Sequence, residues 1–309
     1  MEDWGIGGGI RILREEQEIS LEQLCRGLCS AATLSRIEAG ERTAGMMLAQ
    51  RLLERLGYQP NGYEIYCGRE EFDQYEKRQR LIMLGKKGQY TQLEEELKRY
   101  EADIDGEMEP LQRQFLKRLY GEIGLARGDA GQSRRLFEEA VSLTVPGWRE
   151  KEWSILALGE EEMELFSLLA DAYAKTGERE KAYQLWNGIW RYLKAKKVKE
   201  ENMGEFHIGL LCRMAAYCAD TGDSQAAAEL CDEGLEILAL TTRIYHWDWL
   251  LYLKGKGMEG LYQAGKADRQ EVIEVYKRAY AAARLFKKEE EAANIQKHLR
   301  EEYGWEFTR

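Results

Sequence analysis

The sequence predicts an all-α protein in which a small helical domain is followed by an α-solenoid, and three observations support this fold class. Only three of the 309 residues are proline, and residues that favour helices, such as Leu, Glu, Lys and Ala, dominate. The segment Ile19–Arg42 carries the signals of two short helices joined by a tight turn. After residue 63, a phrase that begins with glycine recurs along the chain, which is typical of stacked helical repeats.

The small domain is expected to contain four helices. Residues 1–8 are predicted to be a loose tail, and a first helix is predicted from Ile10 to Gln17. Ser20 comes three residues before Gln23, and such a pair forms a capping box that satisfies free backbone N–H groups where the second helix begins. The fourth helix is predicted from Met46 to Leu56.

The third helix carries the pattern that says most about function. Ser30 is placed to cap it, and the helix is predicted to span Ala31–Glu38 with Leu34 and Ile37 buried. Small and polar residues are then exposed at its N-terminal end. Two short helices joined in this way match the helix-turn-helix geometry that fits the DNA major groove. The alternative is an amphipathic helix pair inside a helical repeat.

A family resemblance rests on the same residues. The run LCRGLCSAATLSRIEAGER, from Leu24 to Arg42, resembles the DNA-binding motif of the lambda-repressor-like (XRE) regulators. It is particularly similar to the RNPP family of peptide-pheromone regulators, whose turn reads Gly-hydrophobic-x-Ser before LSRxExG. The resemblance covers residues 8–57 and departs from the wider family at Leu21, where a glutamine that touches the DNA backbone is usual. It also implies an ion pair between Arg14 and Glu38.

The predicted DNA contacts come from the exposed side of the third helix and the segment after it. The residues expected to face base edges are Ala31, Ala32 and Thr33. The residues expected nearer the phosphates, or retained from the family pattern, are Ser30, Ser35, Arg36 and Arg42. Because one such motif offers few base contacts, we expect a homodimer on paired half-sites about 34 Å apart.

A run of turn formers at residues 57–62 is predicted to separate a DNA-binding domain, residues 1–60, from a repeat domain, residues 63–309. The recurring phrase, as in GEREKAYQLW at residues 177–186, resembles the tetratricopeptide repeat. About five degenerate copies are predicted, with turns at Gly88, Gly128, Gly177, Gly222 and Gly265. Stacked helix pairs of this kind form an arc with a concave inner surface.

The end of the chain is predicted to be one long helix from about Arg269 to Tyr303. An aromatic tail follows, formed by Tyr303, Trp305 and Phe307. Such a tail either caps the solenoid or contacts a second copy in a dimer, and capping is the simpler interpretation.

The concave surface is the predicted ligand site. Aligning the repeats on their turn glycines places charges of both signs and aromatic rings there, namely Arg78, Arg118, Glu122, Glu164, Asp171, Lys175, Arg213, Tyr252, Glu259 and Tyr262. Arg118 and Arg213 would hold carboxylates of a short extended peptide, and Asp171 an amine or backbone amide. The alternative is that these are ordinary solvated helix positions. The RNPP resemblance implies asparagines in this groove, and none of the four asparagines falls at a predicted groove position.

Composition narrows the function further. The formal net charge is −10, and residues 1–58 carry seven Lys/Arg against nine Asp/Glu, so DNA contacts must come from a few placed arginines. Six cysteines without a CxxC pair and three scattered histidines indicate neither a zinc site nor a disulfide framework. The glutamate runs at residues 160–162 and 289–291 are interpreted as solvated helix faces. No catalytic motif is present, so no enzyme activity, cofactor or metal is expected.

The sequence contains neither a signal-peptide pattern nor an apolar stretch long enough to cross a membrane, so a cytoplasmic protein is expected. The preferred hypothesis is a transcriptional regulator that binds a DNA operator and is controlled by a short intracellular signalling peptide. The alternative is an adaptor whose repeats hold a protein partner and whose N-terminal domain is degenerate.

Overall fold

The computed structural model describes residues 5–58, 69–104, 106–150, 152–153, 156–196 and 204–305. Within these ranges the chain forms fifteen α-helices and no β-strand, which confirms the all-α prediction. The helices are α1 Ile6–Glu16, α2 Leu21–Cys25, α3 Ala31–Glu38, α4 Met46–Arg55, α5 Arg69–Lys86, α6 Tyr90–Ala102, α7 Pro110–Ala126, α8 Ala130–Thr144, α9 Glu160–Lys175, α10 Arg179–Ala195, α11 Glu205–Thr221, α12 Ser224–Thr241, α13 Trp247–Gln263, α14 Arg269–Leu285 and α15 Glu289–Tyr303.

Side-chain caps start the two short helices of the N-terminal domain, which comprises α1–α4. The Ser20 hydroxyl accepts a hydrogen bond from the Gln23 backbone N–H at 3.1 Å, and the Gln23 side chain accepts one from the Ser20 N–H at 2.9 Å. The Ser30 hydroxyl accepts from the Thr33 N–H at 3.0 Å and starts α3. Both predicted caps are confirmed, and each satisfies N–H groups that a helix leaves free at its first turn.

The four helices enclose their own hydrophobic core. Fully buried side chains from each of them meet there, including Ile10, Leu24, Leu34 and Leu52. At the edge of this core, Arg14 Nε lies 2.7 Å from Glu38 Oε1 and Arg14 Nη2 lies 2.8 Å from Glu38 Oε2. The ion pair implied by the family resemblance is therefore present, and it joins α1 to the end of α3.

The first helix begins earlier than predicted. Residues 5–8 were expected in a loose tail, but α1 already starts at Ile6, whereas residues 1–4 lie outside the described part of the chain. The reason is packing against α3: Gly7 is buried, and a Cβ added to it would lie 1.8 Å from the Ile37 carbonyl oxygen. The absence of a side chain lets the two helices approach closely, which outweighs the low helix propensity of the three successive glycines.

Five helix pairs, α5/α6 to α13/α14, form the repeats. The turn glycine of each pair adopts a positive φ: 69° at Gly88, 86° at Gly128, 87° at Gly177, 86° at Gly222 and 70° at Gly265. Because only glycine adopts this left-handed conformation without a steric cost, the glycine spacing located all five turns correctly. The prediction of an α-solenoid of about five degenerate repeats is confirmed.

The chain divides into two compact units, residues 1–192 and 193–309, so the N-terminal domain belongs to the same unit as the first repeats. The predicted domain boundary falls in the turn formers of residues 57–62, of which residues 59–62 lie outside the described ranges. A separate hydrophobic cluster fills the second unit and includes Ile273, Tyr276, Ile295 and Leu299.

The prediction of one long C-terminal helix is wrong. The segment forms two helices, α14 and α15, which turn at Lys287 with a φ of 58°. This reversal lets Ile295 and Leu299 of α15 pack against α14. No glycine or proline marks the turn, so no turn-forming residue indicated a break in the helix there. Tyr303 and Trp305 pack against the same cluster, and Phe307 lies outside the described residues.

The close contact at Gly7 makes a testable prediction. We expect Gly7→Ala to destabilise the protein by about 1–3 kcal/mol, because the added methyl group forces α1 away from α3. Gly9→Ala is the matched control in the same helix: Gly9 is exposed and its Cβ would meet nothing within 4 Å. The control should be neutral or stabilising by up to about 1 kcal/mol. Urea denaturation followed by circular dichroism measures both, and equal effects would contradict the packing argument.

Candidate functional site

The outer face of α3 is open. Ala32, Ser35 and Arg36 are exposed, and Ala31 and Thr33 are partly buried. The other two predicted DNA contacts, Ser30 and Arg42, are also exposed, and the Arg42 N–H donates to the Arg36 carbonyl at 3.2 Å. All seven predicted residues therefore lie on or directly beside one helix, with small side chains at its N-terminal end and two arginines towards its C-terminal end.

A buried arginine at the end of α4 joins the N-terminal domain to the repeats. Arg55 is 3% exposed, and each of its five N–H donors has an acceptor. Nη1 donates to the carbonyl oxygens of Leu24 at 2.7 Å and Arg26 at 2.8 Å. Nη2 donates to the Thr144 carbonyl at 2.9 Å. Nη2 and Nε also donate to the two carboxylate oxygens of Glu162, at 2.6 Å and 3.0 Å.

Glu162 completes this contact from α9. It is 1% exposed, and its Oε2 also accepts the Gly159 N–H at 3.0 Å. Burial alone would raise the pKa of Glu162, but Arg55 and Arg51 hold that pKa below its ordinary value. The carboxylate therefore stays charged and supplies the counter-ion that a buried guanidinium requires.

Arg51, one helical turn before Arg55, extends the network. Its Nη1 donates to Gln114 Oε1 at 2.9 Å, and its Nη2 donates to Glu161 Oε2 at 3.4 Å. Gln114 in turn donates to the Thr144 hydroxyl at 2.6 Å. Close backbone approach adds to the contact, since a Cβ added to Gly27 would lie 2.2 Å from the Thr144 carbonyl oxygen. The turn before α3 and helix α4 thus rest on α7–α9.

One carboxylate at this contact is poorly satisfied. Glu54 Oε2 lies 3.1 Å from Arg51 Nε, yet it is buried without a hydrogen-bond partner among the described residues. Burial, together with the nearby Glu161 and Glu162, raises the pKa of Glu54 to about 7 against the opposing effect of Arg51. Near neutral pH, this carboxyl group is therefore partly protonated.

Helix α4 also forms one wall of a pocket of about 120 Å³. The opposite walls come from α5, α7 and α9, and they include two predicted ligand residues, Arg78 and Arg118. Arg118 is already paired: Nε donates to Glu122 at 2.9 Å, Nη2 donates to Glu164 at 2.7 Å, and Nη1 lies 3.2 Å from Glu161. A ligand carboxylate would have to compete with these glutamates for Arg118.

The remaining predicted ligand residues are divided between the two units. Asp171 and Lys175 lie on α9, partly buried and exposed respectively. In the second unit, Arg213 lies on α11, and the predicted residues on α13 are Tyr252, Glu259 and Tyr262. Glu259 accepts hydrogen bonds from the Tyr276 and Tyr303 hydroxyls, at 3.0 and 2.8 Å, and lies 3.0 Å from His298 Nε2. Its carboxylate is thus part of the packing of α13 against α14 and α15.

The interpretation of residues 160–162 as a solvated face is wrong, because Glu162 is buried and ion-paired. By contrast, residues 289–291 are exposed, as predicted. The sequence held a signal for the difference. Glu162 is in helical phase with the buried Leu165, Phe166 and Leu169, and Arg55 is in phase with Leu52. A charged residue within an apolar stripe indicates a buried ionic partner.

Within the described ranges, no group of three or more His, Cys, Asp or Glu side chains is arranged to hold a metal ion. No helix in that part of the chain is both long and apolar enough to cross a membrane.

The buried ion pair between Arg55 and Glu162 predicts that a small chemical change at Glu162 greatly lowers the stability of the folded protein. Glu162→Gln keeps the side-chain shape but leaves the Arg55 charge buried and unpaired, which should cost about 3–5 kcal/mol. Asp103→Asn is the control, since Asp103 pairs with Lys77 at 3.1 Å while their side chains are 59% and 48% exposed. It should cost at most about 1 kcal/mol. Urea denaturation of both variants checks this, and similar small losses would contradict it.

The raised pKa of Glu54 predicts that the difference in stability between Glu54→Gln and the wild type depends on pH. Its pKa is 4.5 when unperturbed and about 7 in the folded chain, so the folded state retains a proton that the unfolded state releases between these values. Glu54 therefore costs stability progressively as the pH rises through this window. Glu54→Gln should match the wild type near pH 4.5, become relatively more stable up to about pH 7 and then keep a constant advantage. Denaturation midpoints across this range measure the difference, and a pH-independent difference would contradict the assignment.

Residues 10–62 match the family model HTH_3, described as helix-turn-helix. Among solved structures, the chain is similar to Bacillus thuringiensis PlcR in complex with the peptide PapR7 and DNA, at 18% identity and a TM-score of 0.57, with 94% of this chain and 98% of that chain covered. PlcR in its apo form gives 17% identity, a TM-score of 0.57 and coverages of 94% and 97%.

The apo form of the competence regulator ComR from Streptococcus vestibularis gives 16% identity, a TM-score of 0.48 and coverages of 95% and 96%. No curated protein matches the sequence significantly. The chain combines an XRE-type helix-turn-helix domain with a tetratricopeptide-like α-solenoid, and in fold it resembles the RNPP regulator PlcR.

Proposed function

We propose that this chain is a sequence-specific DNA-binding transcriptional regulator controlled by a short intracellular signalling peptide. The observation that carries the DNA-binding half is the exposure of α3. The N-terminal domain meets the repeats through α4 and the turn at Gly27, so the face that carries Thr33, Ser35 and Arg36 stays open. An open, capped helix with small residues at its start fits the major groove, and exposed arginines suit phosphates.

The ligand half of the proposal rests on the repeats. Their predicted inner residues carry both charge signs and aromatic rings, which suit the termini, backbone and apolar side chains of an extended peptide. The similarity to PlcR, which was solved with PapR7 and DNA, supports a peptide over other ligand classes. The proposed contacts remain Arg78, Arg118, Glu122, Asp171, Lys175, Arg213, Tyr252, Glu259 and Tyr262. Glu259 and Arg118 already have protein partners. A peptide would have to share the Glu259 carboxylate with Tyr303 and the Arg118 guanidinium with Glu164.

We also propose that the protein acts as a homodimer in the cytoplasm. One reading helix contacts few base pairs, and two-fold symmetry places a second helix about one turn of DNA, roughly 34 Å, from the first. A monomeric adaptor with an inactive N-terminal domain is the competing hypothesis, and the same DNA experiment separates the two.

The test is selection of binding sites from random duplex DNA with the full chain. We expect an inverted repeat whose half-sites are one helical turn apart. Thr33→Ala should alter the preferred base at one position of each half-site, at a cost of about 1–3 kcal/mol, because Thr33 lies at the exposed start of α3. Arg36→Ala should weaken binding to all sequences alike, because a phosphate contact carries no sequence information.

The matched control is Arg80→Ala. Arg80 is an exposed arginine of α5 in the same compact unit, paired with Glu96 at 2.7 Å. It removes the same charge and should leave DNA affinity unchanged. If no sequence is enriched, or if Thr33→Ala and Arg36→Ala behave like the control, α3 is not the reading helix and the adaptor hypothesis is favoured.

A further inference from the structure

Arg78 is a largely buried arginine that borders the pocket next to α4. It lies on α5, is 8% exposed, and has no ion-pair or hydrogen-bond acceptor among the residues that the structure describes. Its neighbours differ: Lys77 pairs with Asp103 at 3.1 Å, and Arg80 pairs with Glu96 at 2.7 Å. The Arg78 nitrogens are not among the enclosed polar atoms that lack a partner, so they open onto the pocket that Arg78 lines, where an acceptor of a ligand can reach them.

The surroundings of Arg78 determine the charge of such a ligand. Arg78 borders the pocket next to α4, whose lining holds three arginines, Arg51, Arg78 and Arg118, against two glutamates, Glu54 and Glu161. Arg51 and Arg118 are already paired with glutamates, so the positive charge of Arg78 is the one left without an opposite charge among the described residues. A group with a single negative charge balances it, whereas a doubly charged phosphate would meet additional repulsion from the two carboxylates.

The size and the lining of the pocket determine which atoms of the ligand can accompany its charged group. A volume of about 120 Å³ accommodates a carboxylate and a few adjoining atoms but not a whole peptide. Beside the arginines, apolar side chains line the pocket, including Met47, Ile82, Phe115 and Leu165. They suit a short apolar side chain next to the carboxylate, so the site matches the end of a longer ligand.

We propose that this pocket binds the free carboxylate of an apolar C-terminal residue, with Arg78 as its ion-pair partner. The inference rests on the proposed function in taking a peptide as the source, although a small apolar carboxylic acid has the same chemistry. Helix α4 of the helix-turn-helix domain forms one wall of the pocket. The ligand terminus therefore contacts the DNA-binding domain directly, and it competes with Glu161 for Arg51 and Arg118. Through these contacts, ligand binding changes how α4 rests on the repeats.

The first test uses a matched pair of probes. N-acetyl-L-leucine and N-acetyl-L-leucinamide differ only in the carboxylate, and inorganic phosphate tests the charge requirement. The readout is the side-chain Nε–Hε NMR resonance of Arg78 in the full chain labelled with ¹⁵N-arginine, identified by its loss in Arg78→Lys. We expect N-acetyl-L-leucine to shift this resonance saturably, and the amide and phosphate to leave it in place. An equal response to the amide, or stronger binding of phosphate, would overturn the assignment.

Variants test the residue itself by calorimetry or ligand-detected NMR. Arg78→Gln should weaken N-acetyl-L-leucine at least tenfold, and Arg80→Gln, which changes an exposed arginine two residues away, should bind like the wild type. Arg78→Met should abolish binding without lowering the melting temperature of the ligand-free protein, because Arg78 has no described protein acceptor to lose. Undiminished binding in Arg78→Gln, or a lower melting temperature in Arg78→Met, would show that Arg78 is satisfied within the protein.

A second arm separates this site from the proposed function. A degenerate mixture of heptapeptides with free C termini, and the same mixture amidated, are each passed over the full chain, and retained peptides are read by mass spectrometry. Retention of free-acid peptides with apolar last residues, lost in Arg78→Gln, supports the site and the peptide. If N-acetyl-L-leucine binds at Arg78 but no peptide is retained, the result supports the carboxylate site and contradicts the proposed peptide sensing. Retention that is independent of the carboxylate and of Arg78 overturns the site alone.

Discussion

The guanidinium of Arg55 holds three separate parts of the first compact unit together: the turn before α3, the end of α8 and the start of α9. Removing such a group from water costs several kcal/mol. That cost is offset only because all five donors find acceptors and Glu162 supplies the opposite charge. Since the acceptors come from fixed backbone carbonyls and a buried carboxylate, the contact has one geometry. It sets the position of α4 on the repeats, and through α4 it sets the direction in which α3 faces solvent.

The open face of α3 and the buried contact with the repeats are formed by different side chains of one small domain. Arg55 and Glu162 at the contact are charged and enclosed, whereas Ala32, Ser35 and Arg36 on α3 are exposed. The pocket lined by Arg51 lies next to the contact, so a ligand bound there would act on the residues that orient α4. In the proposed function, communication between ligand and DNA then requires only one layer of side chains, in which the ligand competes for arginine partners.

The parts of the fold that depend on local interactions were predictable from the sequence. The caps at Ser20 and Ser30 and the turn glycines of the repeats each involve residues within a few positions of one another, so their signals survive in a linear sequence. The contact between Arg55 and Glu162 joins residues 107 positions apart, and only the helical phase of each charge hinted at it. The turn at Lys287 lacked a glycine or proline. At the candidate ligand site, helix register could select the positions predicted to line the groove. It could not show which of them already have protein partners. Glu259 accepts hydrogen bonds from neighbouring tyrosines, whereas Arg78 has no described acceptor.

If the buried arginine contact determines the arrangement, the helix-turn-helix domain and the first repeats form one cooperative body. Native-state hydrogen exchange of the full chain, read by mass spectrometry for α1–α4 and for α7–α9, tests it most directly. We expect the slowly exchanging amides of α4 to open with the same free energy as those of α7–α9, and the two sets to shift together as urea is added. Exchange of α1–α4 at a markedly lower free energy, with α7–α9 still protected, would contradict it by showing that the domain opens on its own.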